Sequence, residues 1–140
     1  MTEKLTKVIA YADGGSRGNP GPAGIGGVLK DGEGAVVATV SESIGTATNN
    51  VAEYLALIRI LEKAIELGYQ EIEVRMDSEL VVKQMRGAYK VKHDGLIPLF
   101  EKACVLSSKF RWFEINHVRR LLNKEADALA NQAMDSAGSS

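Results

Sequence analysis

The sequence contains only one cysteine, Cys104, so no disulfide can form within the chain. A lone thiol is compatible with a reducing compartment, and its simplest interpretation is a small apolar side chain in the core. The chain has no uninterrupted run of about 18 apolar residues, the length that a membrane-spanning helix requires. Residues 1–7 are polar and lack the apolar core of a signal peptide, so we expect a cytoplasmic protein with no membrane association.

The sequence also lacks a large excess of basic or of acidic residues. The chain has 17 basic and 18 acidic residues, which gives a formal net charge of −1. Overall charge therefore does not indicate nucleic-acid binding, and a polyanionic partner would have to meet a local basic patch or bound metal ions. The 140 residues carry no repeat and no long linker, which predicts a single domain, 1–140, with a frayed tail at about 135–140. We expect a monomer.

Hydrophobic periodicity predicts an α/β fold. The first three strands follow one another, whereas the later strands alternate with helices. This order predicts a five-stranded mixed sheet, with three antiparallel strands and then parallel strands, flanked by helices. The strands are expected at residues 8–13, 24–29, 35–43, 71–77 and 110–118, and the helices at 49–67, at 78–86, from near 98, and at 123–135.

The first predicted strand ends in an unusual way. In VIAYADGGSRGNPGPAGIGG, residues 8–27, an apolar run gives way to Asp13 and a series of glycines. We expect the strand to stop at Asp13 and the chain to turn at Gly14 and Gly15. The stretch lacks the G-K-[ST] ending of a P-loop and does not lead into a helix, so it does not indicate nucleotide triphosphate binding.

Four carboxylates occupy positions that a purely structural role explains poorly. Asp13 and Asp77 each end a strand, and the carboxyl ends of neighbouring parallel strands form sites at one edge of a sheet. Glu53 lies on the apolar face of its helix, in line with Leu57, where an unpaired charge is costly. Asp127 borders the apolar face of the last helix. We therefore expect these four side chains to converge.

Each carboxylate also has a simpler interpretation. Asp13 could form an Asx turn with the following glycines, and Asp77 could cap the next helix, a role that Ser78 could fill equally well. Glu53 could project beyond the sheet into water, and Asp127 could be a solvated acid in a first helical turn. As a set, converging carboxylates favour a site for hard divalent cations such as Mg²⁺. Two such ions about 4 Å apart can activate water and stabilise the leaving oxygen in phosphodiester hydrolysis.

Four segments resemble, in order and spacing, the motifs of the type 1 ribonuclease H family. They are YADGGSRGNPGPAGIGGVL (11–29), TNNVAEYLAL (48–57), RMDSELVVKQM (75–85) and NKEADALAN (123–131). The resemblance extends from about residue 8 to residue 131. It implies a ribonuclease H-like fold and an endonuclease that cuts the RNA strand of an RNA/DNA hybrid, leaving 5′-phosphate and 3′-hydroxyl ends.

The resemblance also implies roles for individual residues. The positions that match the family's four metal-binding acids are Asp13, Glu53, Asp77 and Asp127. They imply two Mg²⁺ ions with substrate bound, with Mn²⁺ as a substitute: Asp13, Glu53 and Asp77 for the ion at the leaving 3′-oxygen, Asp13 and Asp127 for the ion that activates water. The positions that match nucleic-acid contacts are Gly14, Asn19, Asn49 and Asn50, and Ser78 could add a contact to a 2′-hydroxyl. Asn49 and Asn50 could also cap the helix that carries Glu53.

Two departures from the family pattern concern how substrate is held. Many members have a basic helix and loop where this chain has RGAYKVKHDGLIP, so the chain resembles the short subgroup without that protrusion. Some short members also cut double-stranded RNA. The mobile-loop histidine of familiar members has no clear counterpart, because the segment before Asp127 is short. We expect Arg120, or else Arg119, to take its place with a phosphate or product contact, and His117 to end a strand.

Three rival functions are compatible with parts of the sequence. A binding module for hybrids or double-stranded RNA could share the fold, but it would not need all four acids. A 3′-exonuclease of the same superfamily usually carries D-x-E on the first strand, whereas Asp13 is followed by two glycines. A small-molecule enzyme would need a cofactor fingerprint or a nucleophile–base pair, which the sequence does not offer.

Overall fold

The computed structural model describes residues 6–138, with side chains for residues 6–136. Five strands form one mixed sheet, as the sequence predicts, and the structure shows their order to be β3-β2-β1-β4-β5. The strands are β1 Lys7–Ser16, β2 Gly21–Lys30, β3 Val36–Ala47, β4 Glu71–Met76 and β5 Trp112–His117. The helices are α1 Asn49–Glu66, α2 Glu79–Met85, α3 Ile97–Ser107 and α4 Lys124–Gly138, and a 3₁₀ helix, Arg120–Asn123, leads into α4.

Strand β1 lies at the centre of the sheet and pairs differently on its two sides. It runs parallel to β4 only as far as Ala12, which is opposite Met76. Along the antiparallel β2, pairing continues to Ser16. The prediction that the strand stops at Asp13 and turns at Gly14 is therefore wrong, because β2 continues to supply hydrogen-bond partners after β4 has ended. Asp13 is the first β1 residue beyond the end of β4.

Helices cover both faces of the sheet. Helix α1 packs on β1 and against α3, whereas α4 packs on β2, β1 and β3. The N-cap of α1 is Thr48, whose hydroxyl accepts a hydrogen bond from the Val51 N–H, so the capping role considered for Asn49 and Asn50 is wrong. The buried face of α1 includes Leu57, Ile60 and Leu61, which join the core beneath the sheet.

Glycines allow both helices to pack directly against the strands. A Cβ on Gly14 would overlap the backbone carbonyl of Ala52 in α1, and a Cβ on Gly26 would overlap the carbonyl of Ala126 in α4. A Cβ on Gly24 would lie 2.8 Å from the Ala130 carbonyl oxygen. Because these contacts involve backbone atoms of the helices, a larger residue would push a whole helix away from the sheet.

The remaining segments agree with the predicted order of elements. Helix α4 continues to Gly138, beyond its predicted end at about 135, and the last two residues of the predicted tail lie outside the described residues. Residues 86–96, where a basic helix was not expected, form turns and no helix. Within residues 6–138, no helix combines the length and the apolar character needed to cross a bilayer.

Candidate active site

Except for Asn19, the predicted site residues line one open groove of about 740 Å³ at the edge of the sheet where β4 ends. Asp13, Glu53 and Asp77 each place a carboxylate oxygen within 4.8 Å of the others. Asp127 lines the same groove from α4. The structure therefore brings together the four carboxylates that the sequence selects, although they come from four different elements of the chain.

Asp13 and Asp77 meet because their strands are adjacent and parallel. The β1–β4 register pairs Ala12 with Met76, so the residues that follow them, Asp13 and Asp77, lie at the same level of the sheet. The alternative that Asp77 serves as a helix cap is wrong, because Ser78 is the N-cap of α2 and accepts a hydrogen bond from the Val81 N–H at 3.3 Å. The Asp77 carboxylate is thus not used by α2.

Glu53 reaches the site from the first turns of α1 and is only 7% exposed, so the interpretation that it projects into water is wrong. Its Oε1 accepts a hydrogen bond of 3.0 Å from the Gly14 main-chain N–H. The absence of a Cβ at Gly14 is what allows the α1 backbone to come this close. The side chain is therefore held in position by β1 rather than being free to move into solvent.

Asp127 lies in the first turn of α4 and is half-buried. Helix α4 packs on the same face of the sheet as Asp13, because Gly26, which pairs with Asp13 across the β1–β2 ladder, touches the α4 backbone. Asp127 comes close enough to Asp13 for the two carboxyl groups to share a hydrogen bond when one is protonated. The close packing of α4 on Gly26 thus brings Asp127, the fourth acid, to the site.

Burial and the repulsion of neighbouring carboxylates raise the pKa values of Asp13 and Glu53. Burial raises the pKa of Asp13 far above its usual range, and the charges of Glu53, Asp77 and Asp127 raise it further. Burial and the charge of Asp77 raise the pKa of Glu53 to about 8, against the opposing effects of the Gly14 N–H and of Arg120. Several ionised carboxylates in this space would be unfavourable without a compensating cation.

The donor set suits a hard divalent cation. It consists only of carboxylate oxygens, it converges within 4.8 Å, and it opens to solvent on the groove side. Mg²⁺ binds such sites through one or a few carboxylates and keeps several water ligands, and Mn²⁺ accepts the same donors. A cation would also remove the repulsion that raises the pKa values of Asp13 and Glu53.

Hydrogen bonds also organise the predicted substrate-contact residues. Asn19 Oδ1 accepts from the Asn49 N–H at 3.0 Å, and Asn49 Oδ1 accepts from the Ser16 N–H at 3.1 Å. These bonds fasten the turn between β1 and β2 to the start of α1. The groove is lined by Gly14, Asn49, Asn50 and Ser78. Asn19 does not line it and contacts it only indirectly, through its hydrogen bond with Asn49.

Basic side chains border the acidic centre. The lining of the groove includes His117, Arg119 and Arg120, with His117 exposed at the end of β5 as expected. The positive charge of Arg120 acts on Glu53 and lowers the pKa of that carboxyl group. Arg17 also lines the groove and was not predicted; its guanidinium contacts Asp135 at 2.7 Å and Asn131 at 3.4 Å. In the sequence, Arg17 stands out only as a single basic residue within the glycine-rich segment, and that did not indicate a role at the site.

Sequence comparisons identify relatives across nearly the whole chain. The profile of a family described as "Reverse transcriptase-like" matches residues 11–133. The bifunctional protein Rv2228c of Mycobacterium tuberculosis is 52% identical over 135 residues, 96% of this chain and 37% of that protein. Ribonuclease HI of Halobacterium salinarum is 50% identical over 131 residues, 94% of this chain and 66% of that protein. The chain thus spans only part of the length of these two relatives.

Solved structures of similar proteins also match nearly the whole chain. The N-terminal RNase H domain of Rv2228c superposes with a TM-score of 0.92 at 51% identity, covering 95% of this chain and 96% of that chain. RNase H1 of Halobacterium salinarum gives 0.91 at 50% identity, with coverages of 94% and 99%. LC11-RNase H1 in complex with an RNA/DNA hybrid gives 0.88 at 47% identity, with coverages of 93% and 98%.

A five-stranded mixed sheet with carboxylates converging at the end of its central parallel pair defines the class of ribonuclease H-like domains. The chain belongs to the type 1 ribonuclease H family.

Proposed function

We propose that this chain is a metal-dependent endoribonuclease that hydrolyses the RNA strand of RNA/DNA hybrids and leaves 5′-phosphate and 3′-hydroxyl ends. The observation that carries the proposal is the convergence of Asp13, Glu53 and Asp77 within 4.8 Å, with Asp127 beside Asp13, in an open groove. A solved relative at 47% identity, LC11-RNase H1, is in complex with an RNA/DNA hybrid, and this supports the same substrate for the present chain.

The four acids divide into two overlapping sets of metal ligands. Asp13, Glu53 and Asp77 would hold one divalent ion, Mg²⁺ or Mn²⁺, and Asp13 with Asp127 would hold a second when substrate is bound. Such ions supply an activated water and stabilise the leaving 3′-oxygen. The Gly14 N–H and the Arg120 charge both favour the ionised form of Glu53, which is the form that binds a metal.

Among the residues that the structure describes, the side chains lining the groove offer no covalent nucleophile paired with a base. Cys104 lies on α3 and is not among the residues of the groove, and burial raises the pKa of its thiol. The Ser78 hydroxyl accepts a hydrogen bond from the Val81 N–H and the Ser16 hydroxyl donates one to the Gly18 carbonyl, so among the described contacts neither hydroxyl is paired with a base. The attacking group is therefore water, as in metal-assisted hydrolysis.

Recognition of the substrate would combine charge and hydrogen bonding. Arg17, Arg119 and Arg120 line the same groove as the carboxylates and can contact phosphates of a bound hybrid. The amide groups of Asn49 and Asn50 and the hydroxyl of Ser78 lie in the groove and can contact bases and 2′-hydroxyls in the minor groove of a hybrid. Such 2′-hydroxyl contacts would direct cleavage to the RNA strand.

A substrate panel tests the proposal. One end-labelled RNA strand is paired with DNA, paired with RNA, or left single, and each is incubated with Mg²⁺, with Mn²⁺ or with a chelator. The expected result is internal cleavage of the RNA in the hybrid, dependent on metal and absent in Asp13→Asn. The RNA-paired lane reports whether double-stranded RNA is a further substrate.

Binding is measured in parallel to separate catalysis from recognition. Asp13→Asn is expected to bind the hybrid at least as tightly as the native chain, because it removes one negative charge from the groove. Firm binding by the native chain without cleavage in either metal would contradict the nuclease and indicate a binding module instead.

A further inference from the structure

Asn123 is a buried amide with an unpaired acceptor. The buried polar side chains among the described residues are Asp13, Glu53, Gln84 and Asn123. Two of these are proposed metal ligands, and Gln84 accepts a hydrogen bond of 2.6 Å from the Tyr54 hydroxyl. Asn123 is 1% exposed, and its Oδ1 has no hydrogen-bond partner in the part of the chain that the structure describes. An unpaired buried polar atom is costly, so the position needs an explanation.

Helix capping does not explain it. Asn123 ends the 3₁₀ helix and directly precedes α4, where an asparagine usually accepts a hydrogen bond from a main-chain N–H of the next turn. Its Oδ1 makes no such bond. Instead its Nδ2 donates to the main-chain carbonyl of Ala12 at 2.9 Å. A carbonyl can only accept, so the orientation of this amide is fixed by its partner.

The bond joins the two elements that carry Asp13 and Asp127. Ala12 directly precedes Asp13 and is the last β1 residue that pairs with β4. Asn123 lies four residues, about one helical turn, before Asp127. The Asn123–Ala12 hydrogen bond therefore holds the start of α4 at the point of β1 where the carboxylates emerge.

We propose that Asn123 is a positioning residue for metal binding, which sets the spacing of Asp13 and Asp127 by tying the start of α4 to the Ala12 carbonyl. The inference rests on the proposed function, since it presumes that these two acids share a metal ion. Residues that orient metal ligands typically contribute a factor of about 10–100 to metal affinity or activity.

The chain offers a control in Gln84, a second buried amide whose hydrogen bond to Tyr54 joins α2 to α1 rather than α4 to β1. Asn123→Leu and Gln84→Leu each replace a buried amide by an apolar side chain. Mn²⁺ binding is measured by electron paramagnetic resonance in the complex with a non-cleavable hybrid, because the ion shared by Asp13 and Asp127 is expected only with substrate bound. Thermal unfolding and the KM and kcat for hybrid cleavage are measured beside it. We expect Asn123→Leu to weaken Mn²⁺ binding and lower kcat at fixed metal by about tenfold or more, with KM for the hybrid within about twofold. Gln84→Leu should lose comparable thermal stability and keep native Mn²⁺ affinity.

Asn123→Ser, which removes the amide without adding bulk, provides the same test if Asn123→Leu does not fold, and it should show the same weakening. Native Mn²⁺ affinity in a folded Asn123 variant would overturn the positioning role, as would equal weakening in the Gln84 variant. These outcomes are distinct from failure of the proposed function, in which the native chain itself would neither bind Mn²⁺ at the four acids nor cut the hybrid.

Discussion

The main-chain N–H of Gly14 donates a hydrogen bond of 3.0 Å to Oε1 of Glu53, and so joins the strand of one site carboxylate to the helix of another. The bond requires the backbones of β1 and α1 to be in direct contact, because a Cβ at Gly14 would overlap the Ala52 carbonyl. Gly14 thus has a structural role at the site: its lack of a side chain lets α1 approach β1, and its N–H binds the Glu53 carboxylate.

Gly14→Ala should therefore disturb the site through α1. The new methyl group meets backbone atoms that cannot rotate away, so α1 must shift and the Glu53 hydrogen bond must lengthen. We expect a loss of about 1–3 kcal/mol in the free energy of unfolding, measured by urea denaturation, together with a loss of hybrid cleavage. Gly32→Ala is the control, since nothing lies within 4 Å of a Cβ there. Native stability in Gly14→Ala would contradict the close packing.

Gly26→Ala tests the contact on the other face of the sheet. Its Cβ would overlap the Ala126 carbonyl, so α4 must move away from β2 and carry Asp127 with it. Cleavage should fall by about tenfold or more, because metal ligands tolerate little displacement, and Mn²⁺ affinity should fall in parallel. A variant that unfolds more easily but retains native Mn²⁺ affinity would show that α4 does not set the position of the fourth acid.

The raised pKa values predict an unusual dependence of stability on pH in the absence of metal. Glu53 titrates near pH 8 in the folded chain and near 4.5 when unfolded, so the folded state binds more protons between these values. Its contribution to stability is complete below about pH 4.5 and is lost as pH rises through about 8. In chelator, the free energy of unfolding should therefore fall from pH 6 to pH 9, by an amount on the order of 2–4 kcal/mol.

Asp13→Asn should reduce this loss, because it removes a carboxyl group whose own pKa is raised by burial and by the charges of Glu53, Asp77 and Asp127. At pH 9 in chelator the variant should be more stable than the native chain, and near pH 5 the difference should shrink. Adding Mg²⁺ should stabilise the native chain more than the variant, since a ligand that binds only the folded state raises its stability. A native chain whose stability is flat from pH 6 to pH 9 would contradict the electrostatic account of the site.

Arg120 and Arg119 can be separated by their effects on metal binding. The charge of Arg120 lowers the pKa of Glu53, so Arg120→Ala should raise that pKa and increase the Mg²⁺ concentration needed for half-maximal cleavage at pH 7. The increase should lessen at pH 9, where Glu53 is ionised in either case. Arg120→Lys should restore most of the native behaviour, and Arg119→Ala should leave the Mg²⁺ midpoint unchanged. Equal shifts of the Mg²⁺ midpoint in Arg120→Ala and Arg119→Ala would contradict this difference between the two arginines.

The sequence predicted the order of elements, the mixed sheet and the convergence of the four acids, because local patterns and the resemblance to the ribonuclease H motifs indicate them. The continuation of β1 through Gly14 to Ser16 was not predictable in this way, since it depends on pairing with β2. The capping of α1 by Thr48 was missed because Asn49 and Asn50 are equally good caps by residue type.

Tertiary contacts explain the other omissions. Gly24 and Gly26 lie in the predicted second strand, but no local pattern shows that their lack of a side chain lets α4 pack against that strand. Asn123 appears in the sequence only as the start of a helix, whereas its hydrogen bond spans 111 residues to Ala12. Both features act through backbone atoms of a distant element, and that is why they become visible only in the folded chain.

The most direct test of the central claim is to locate metal ions by anomalous diffraction from crystals of the native chain soaked in Mn²⁺. The account predicts an anomalous peak with carboxylate oxygens of Asp13, Glu53 and Asp77 as ligands, and loss of that peak in Asp13→Asn. Mn²⁺ bound only elsewhere, with these three carboxylates free of metal, would contradict it.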